Sequence, residues 1–473
     1  MRGVSLAGGA AVVAVVASLA ANAATSADRW PGALDTIRQH PWYWVAGLAV
    51  AAVVTAGVMA WRQERPVGVA DDPPPPPVQP VPEWVVGRSE GSRAITVVCR
   101  TGRERRAVAI TTSLEGAGGF GKTTLAAVVA SNQRVRRHFR GRVYTVTIGR
   151  DVRGRAAVAA KVAEVTRFIT GDATAFDDPD LAGDHLGRLL DQRERTLLVL
   201  DDVWEDEQVR PFLRGGERCV RLVTTRVPAV LPPGAERVVV DEMTPAQART
   251  VLTWELPRLP DELVEGLLRA TGRWALLLRL TNRLIAGQVA AGADAAAAAG
   301  EALGRLVAYG PAAVDCATAA LDLDDPARRA RAVRATVEAA TTLLAPGGAR
   351  RLAELGVFVE DESIPVPLIA RLWAVTGGMA EADARTLCGE LDRLSLVSLS
   401  PDHGGRVTLH DVLRDYLRGE LGEADLAALH GTLVEAMGDP WTSPDGYTLD
   451  HLVKHLLAAG RTAEAEWIAC DIR

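Results

Sequence analysis

Residues 107–130 read AVAITTSLEGAGGFGKTTLAAVVA, and the fold turns on this stretch. Ala107–Thr112 is short, apolar and β-prone, as a buried parallel strand must be. Gly116-Ala117-Gly118-Gly119-Phe120-Gly121-Lys122-Thr123 then fits G-x-x-x-x-G-K-[ST]. Leu125–Ala130 has the pattern of a helix. Strand, glycine loop and helix, in that order, is the context in which the motif carries chemistry. Glycine lets the backbone curl until its N–H groups surround an anion, and the helix N-terminus adds its dipole. Lys122 is placed to reach the β- and γ-phosphates of a nucleotide, and the Thr123 hydroxyl to ligate Mg²⁺. An ordinary glycine turn would not need that lysine. The chain has 53 cationic residues, and lysine occurs only at Lys122, Lys161 and Lys454.

Working outward, Thr196–Trp204 reads TLLVLDDVW, an apolar strand ending in Asp201-Asp202. Carboxylates at the end of a buried strand are where a nucleotide site needs its magnesium-side acid. Asp201 is assigned to Mg²⁺ through water, and Asp202 to the attacking water. Without the glycine loop, the pair would read as a solvated strand end. Arg221–Thr225 is a further strand, followed by Arg226, whose guanidinium could sense a γ-phosphate. Val143–Ile148 and Arg237–Val240 read as strands and Ala156–Phe168 as a helix. Together they predict an α/β fold with a parallel sheet.

The whole chain has 473 residues, enough for about three domains. Hydrophobic residues make up 48%, which excludes a largely disordered chain. The net charge of −6 provides no global basic field for nucleic acid. Five dispersed cysteines, Cys99, Cys219, Cys316, Cys388 and Cys470, predict neither a disulfide framework nor a metal site.

Two apolar segments precede the loop. Trp42–Trp61 is uncharged, long enough to span roughly 30 Å, and bracketed by Trp42, Tyr43, Trp44 and Trp61. Arg62 and Arg65 then mark the cytoplasmic side. Residues 4–24 read either as a cleaved signal peptide ending in Ala-Asn-Ala or as a first transmembrane helix; their length favours a membrane hairpin. Both readings leave the rest of the chain in the cytoplasm, tethered to the cell membrane. Asp71-Asp72 and Pro73–Pro77 open a semi-rigid spacer.

Taken together, Val86-Gly87-Arg88, GAGGFGKTT, LLVLDDVW, LVTTR, TGRWALLL and Leu409-His410-Asp411 resemble the NB-ARC family of nucleotide-switch ATPases, in particular its bacterial members. The resemblance spans about residues 86–421. It implies a P-loop NTPase sheet followed by a helical domain and a winged-helix domain. It also implies ADP/ATP with Mg²⁺ as ligands and self-association on activation. The expected nucleotide-contacting residues are Val86, Arg88, Gly116, Gly118, Gly119, Gly121, Lys122, Thr123, Thr124 and His410. Thr123 and Asp201 are expected at the metal, and Lys122, Asp202 and Arg226 in the catalytic set of a slow ATPase. His410 matches the family's lock on the β-phosphate of ADP; read from the residues alone, it is a histidine packed inside the winged helix. Where the family has Gly-Leu-Pro-Leu, this chain has Ala275 in place of proline, which predicts an altered contact between helical domain and nucleotide.

The expected organisation is membrane segments in 1–65, a Pro-rich linker in 66–84 and the nucleotide-binding domain in 85–243. The helical domain follows in 244–340, the winged helix in 341–425 and a C-terminal helical segment in 426–473. The leading expectation is a membrane-tethered switch, ADP-locked when closed and oligomerising on ATP exchange. Two alternatives are a DNA-binding transcription regulator and a non-hydrolysing ADP-binding membrane scaffold. Mixed charge across Pro365–Leu417 argues against DNA. The alanine run Ala295–Ala299 reads as a helix or loop insertion, and His451 and His455 as residues on a helix surface.

Overall fold

The computed structural model describes residues 72–78, 80–100, 107–112, 118–309, 325–359, 362–401, 404–439, 441 and 446–470. The described architecture lies in the unit Pro73–Arg473. The predicted membrane segments 4–24 and 42–61 lie outside the described residues. Among the described residues, no helix is long and apolar enough to cross a membrane.

Five strands, β1 (Ala107–Thr111), β2 (Val143–Thr147), β3 (Thr196–Val203), β4 (Cys219–Thr225) and β5 (Glu236–Val239), form one sheet in the order β2-β3-β4-β1-β5. Every pairing is parallel. Helices cover both faces, so β1, β3 and β4 are buried at every position and have continuous apolar runs. Strand alternation divides the packing. Leu197 and Val199 face the side holding α1 (Ser89–Arg100), α2 (Lys122–Ser131) and α3 (Gln133–His138). Leu198 and Leu200 face the side holding α4 (Gly154–Thr170) and α5 (Pro179–Asp191). A short helix α6 (Asp206–Val209) follows β3. The strand edges differ from the sequence reading by one or two residues, within ordinary end fraying.

After the sheet come α7 (Pro245–Leu252), α8 (Asp261–Ala270), α9 (Ala275–Ala290), α10 (Ala295–Tyr309) and α11 (Pro326–Thr341). The alanine run is the first turn of α10. Ala298, Ala299 and Ala302 are buried in the helical core, so the run packs rather than loops out. Its small side chains let neighbouring helices approach closely.

Next come α12 (Gly348–Glu354), β6 (Ile364–Pro365), α13 (Val366–Gly377), α14 (Glu381–Arg393), β7 (Ser398–Ser400) and β8 (Arg406–Thr408). The three strands pair antiparallel in the order β6-β8-β7. From β8 the chain enters α15 (Asp411–Met437), which breaks at Gly422, where φ is 74°. α16 (Gly446–Ala458) and α17 (Thr462–Cys470) close the described chain. One apolar core runs from α7 to α17. It takes in Phe120 from the glycine loop, a side chain 1% exposed. Burying a phenylalanine there is worth about 2–3 kcal/mol, which ties the phosphate loop to the helical layer.

His455 corrects the surface reading of α16: it is fully buried. Its Nδ1 lies 2.8 Å from His430 Nδ1, and its Nε2 3.0 Å from the Tyr447 hydroxyl. That hydroxyl accepts the Val359 amide at 2.9 Å. Burial pushes His430 down to about 4 and His455 to about 3, so both rings are neutral. The i, i+4 spacing from His451 could not show that the second half of α15 packs over this face.

Candidate nucleotide site

β1 leads into the loop, and α2 begins at Lys122. Gly116 lies outside the described residues. Gly119 and Gly121 have φ of +77° and +90°, conformations side chains rarely adopt. A Cβ on Gly118 would lie 2.6 Å from Arg226 Nη1 and 2.9 Å from Val412 Cγ2. Gly118 therefore has no room for a side chain, and the first turn of α15 sits directly against it. Lys122 is buried, while Thr123 is exposed at the mouth and Thr124 half-buried. Burial pushes the Lys122 ammonium down to about 8. Arg226 adds to the shift, and Asp202, Asp411 and Asp201 oppose it. A buried ammonium so depressed is matched to a bound anion, which would raise its pKa again.

β3 and β4 deliver the acids and the arginine. Asp201 is buried and its carboxyl is pushed up, first by desolvation. Its Oδ1 accepts the Thr224 hydroxyl at 2.6 Å, and it also accepts Thr123. Thr123 and Asp201 thus meet, one hydroxyl and one carboxylate at the loop. That donor set suits Mg²⁺, which keeps several waters and takes its other ligands from phosphates. Among the described residues, no cluster of three His, Cys, Asp or Glu could hold a metal by itself.

Asp202 sits where the β3–β4 register shifts, with φ of +55°. Its amide donates to Thr224 Oγ1 at 2.9 Å. Such a conformation costs of order 1 kcal/mol and persists where surrounding bonds over-determine it. Its Oδ2 accepts Trp204 Nε1 at 2.6 Å, and its Oδ1 lies 3.5 Å from Arg226 Nε.

Arg226 also pairs with Asp411, the first residue of α15. Asp411 is itself buried, which disfavours its charge. His410 and Arg226 overcome this and hold its carboxyl well below the usual carboxylate range. His410 caps α15. Its Nδ1 lies 3.2 Å from the Val412 amide and 2.7 Å from Asp411 Oδ1. Bare, that nitrogen accepts the amide; protonated, it donates to the carboxylate; it serves one partner at a time. Its ring is 39% exposed, so the histidine is not a packed core residue.

Arg88 is buried, and its guanidinium donates to the carbonyls of Phe120 (3.1 Å) and Asp241 (2.7 Å). It braces the loop from behind. Val86 is half-buried against the helical core. The helical domain holds the loop despite Ala275: Trp274 Nε1 donates to Gly118 O, and the Leu276 amide to Gly119 O, both at 3.1 Å. The first of these contacts needs an indole N–H, so Trp274 ties this segment to the loop itself.

Gln208 was missed. It is buried and accepts the amides of Trp204 (2.8 Å) and Glu205 (3.1 Å). Its own amide donates to Gly149 and Val152 carbonyls, both at 2.9 Å. An uncharged glutamine outside any motif carries no sequence signal.

A five-stranded parallel sheet with a glycine loop after β1 and an acid pair near the end of β3 defines a P-loop NTPase. More narrowly, the chain carries an NB-ARC domain, whose family model matches residues 100–247. Regulatory protein AfsR of Streptomyces griseus is 37% identical over 147 residues, 30% of this chain and 14% of that protein. Its counterpart in Streptomyces coelicolor is 30% identical over 309 residues, 65% of this chain and 29% of that protein. Disease resistance protein RGA2 of Solanum bulbocastanum is 35% identical over 118 residues, 23% of this chain and 11% of that protein. The chain thus spans less than a third of the length of each of these relatives. Among solved structures, it shares its fold with a Signal Transduction ATPase with Numerous Domains from Pyrococcus horikoshii that has a tetratricopeptide repeat sensor. The TM-score is 0.51 at 16% identity, over 83% of this chain and 50% of that one.

Proposed function

We propose that this protein is a nucleotide-dependent signal-transduction switch that binds ADP in a closed state and opens on exchange for ATP. The observation that carries this is the contact of Arg226, at the end of β4, with Asp411, at the start of α15. One arginine ties the phosphate site to the winged helix, 185 residues further along the chain. A group that meets the winged helix in one state and a γ-phosphate in another is the differential contact a switch requires.

The glycine loop, Lys122 and Thr124 would cradle the phosphates, and Thr123 with Asp201 would hold Mg²⁺, which supplies charge neutralisation when bound. His410, beside Asp411 at the cap of α15, would contact the β-phosphate of ADP. Val86 would line the base pocket. Asp202 would orient the attacking water, and hydrolysis would reset the switch. In the open state the chain would self-associate. The apolar segments 4–24 and 42–61 would tether it to the cell membrane with the NTPase part in the cytoplasm.

The test compares the size of the full chain with ADP and with a non-hydrolysable ATP analogue. A larger species with the analogue supports the reading. Identical size together with unchanged nucleotide affinity in Lys122→Ala would refute it.

A further inference from the structure

We propose that Trp204 is the positioning residue for both hydrolytic side chains, Asp202 and Arg226; the inference rests on the ATPase reading above. Trp204 leaves β3 half-buried beside the site. Its indole N–H donates to Asp202 Oδ2 at 2.6 Å. The guanidinium carbon of Arg226 lies 4.9 Å from its ring centroid, and that of Arg150 5.0 Å. One side chain therefore fixes an acid through its edge and an arginine through its face.

The indole is itself well anchored. Its backbone amide donates to Gln208 Oε1, and Gln208 in turn bonds the loop that follows β2 through Gly149 and Val152. The Asp202 backbone is held separately by Thr224. The Asp202 side-chain torsions are then set by the Trp204 N–H on Oδ2, with Arg226 Nε 3.5 Å from Oδ1. Arg226, long and flexible, gains a stacking surface that limits where its donors point.

The reaction asks for both. The water oxygen bonds to the γ-phosphorus, the bond to the β–γ bridging oxygen breaks, and ADP leaves with that electron pair. The water proton passes to Asp202 and then to the released phosphate. A carboxylate displaced by about 1 Å costs up to about a hundredfold in such a step. The glycine loop and Lys122 hold the phosphates without the Trp204 N–H, and Trp204→Phe leaves an aromatic ring beneath Arg226.

Trp204→Phe keeps the ring beneath Arg226 and loses the N–H. Single-turnover ATP hydrolysis by the full chain is expected to fall about tenfold, with the ATP Kd within twofold of wild type. In an Asp202→Asn background the same substitution is expected to change nothing further. Wild-type turnover in the Phe variant, or an equal drop in both backgrounds, would overturn the proposal. Trp204→His and Trp204→Leu test it independently: the histidine retains a ring N–H and should keep several-fold more activity than leucine, and equal rates would count against it. Wild-type protein that binds ATP without turnover would sink the hydrolytic reading first, a result seen before any variant is made.

Discussion

Asp411→Ala removes the α15 half of the contact with Arg226. Both side chains are nearly closed off, with 6% of Asp411 and 12% of Arg226 exposed. Removing one partner of a buried pair costs about 3–5 kcal/mol, because the other charge is left uncompensated. Arg226 retains Asp202 at 3.5 Å and the Trp204 ring, which places the cost near the low end, about 3 kcal/mol. Spent on a closed–open equilibrium, that shifts the populations about 150-fold. The pair is insensitive to pH across the neutral range, since the Asp411 carboxyl is held so low. The assay loads the full chain with a fluorescent ADP and chases with ATP. Release is expected about a hundredfold faster in the variant, with a larger species forming after the chase. Release within twofold of wild type, in a variant with unchanged Tm, would show that the contact does not hold the closed state.

Lys122→Ala is expected to weaken ADP and ATP binding at least a hundredfold in equilibrium titration, since the β- and γ-phosphates lose their only buried ammonium partner in the loop. Lys122 also sets a pH dependence. Without nucleotide its pKa is about 8 and bound phosphate raises it. ADP affinity is therefore flat below pH 8 and falls up to tenfold per pH unit above it, with proton uptake on binding visible by calorimetry in two buffers. Trp274→Phe removes the bond to Gly118 O and should cost about 1 kcal/mol, read as a lower thermal midpoint and faster ADP release. His430 and His455 have folded pKa values below the usual 6.5, so the unfolded chain takes up more protons. Stability is therefore full above pH 6.5 and falls towards pH 4, by about 1.4 kcal/mol per pH unit for each ring. Denaturant unfolding from pH 7 to 4.5 measures this, and His430→Gln should flatten the slope.

Residues close in sequence were legible because their chemistry is local. The glycine loop, the acid pair at the end of β3 and the apolar strands each announce themselves within ten residues, by backbone freedom, charge placement and β-propensity. The helix of the alanine run was within reach too, while its burial depended on which helices pack around Ala298 and Ala299. His455 shows the same limit: its spacing places it on a helix face, but only packing decides that the second half of α15 covers that face. Arg88 matched the segment expected near the base, and it braces the loop through carbonyls at Phe120 and Asp241. Backbone acceptors leave no mark in a sequence.

By itself the sequence determined a parallel α/β sheet and its glycine–lysine loop, because hydrophobic period and motif chemistry act over short stretches of chain. Only the tertiary structure decided that Arg226 meets Asp411, that Trp274 bonds the loop at Gly118 O, and that Trp204 holds Asp202. Two of these contacts join residues more than 150 positions apart. The third depends on the backbone of Asp202 adopting a positive φ at a strand irregularity. Such encounters are set by how helices pack over a sheet and by where a strand bulges, and both are properties of the folded whole.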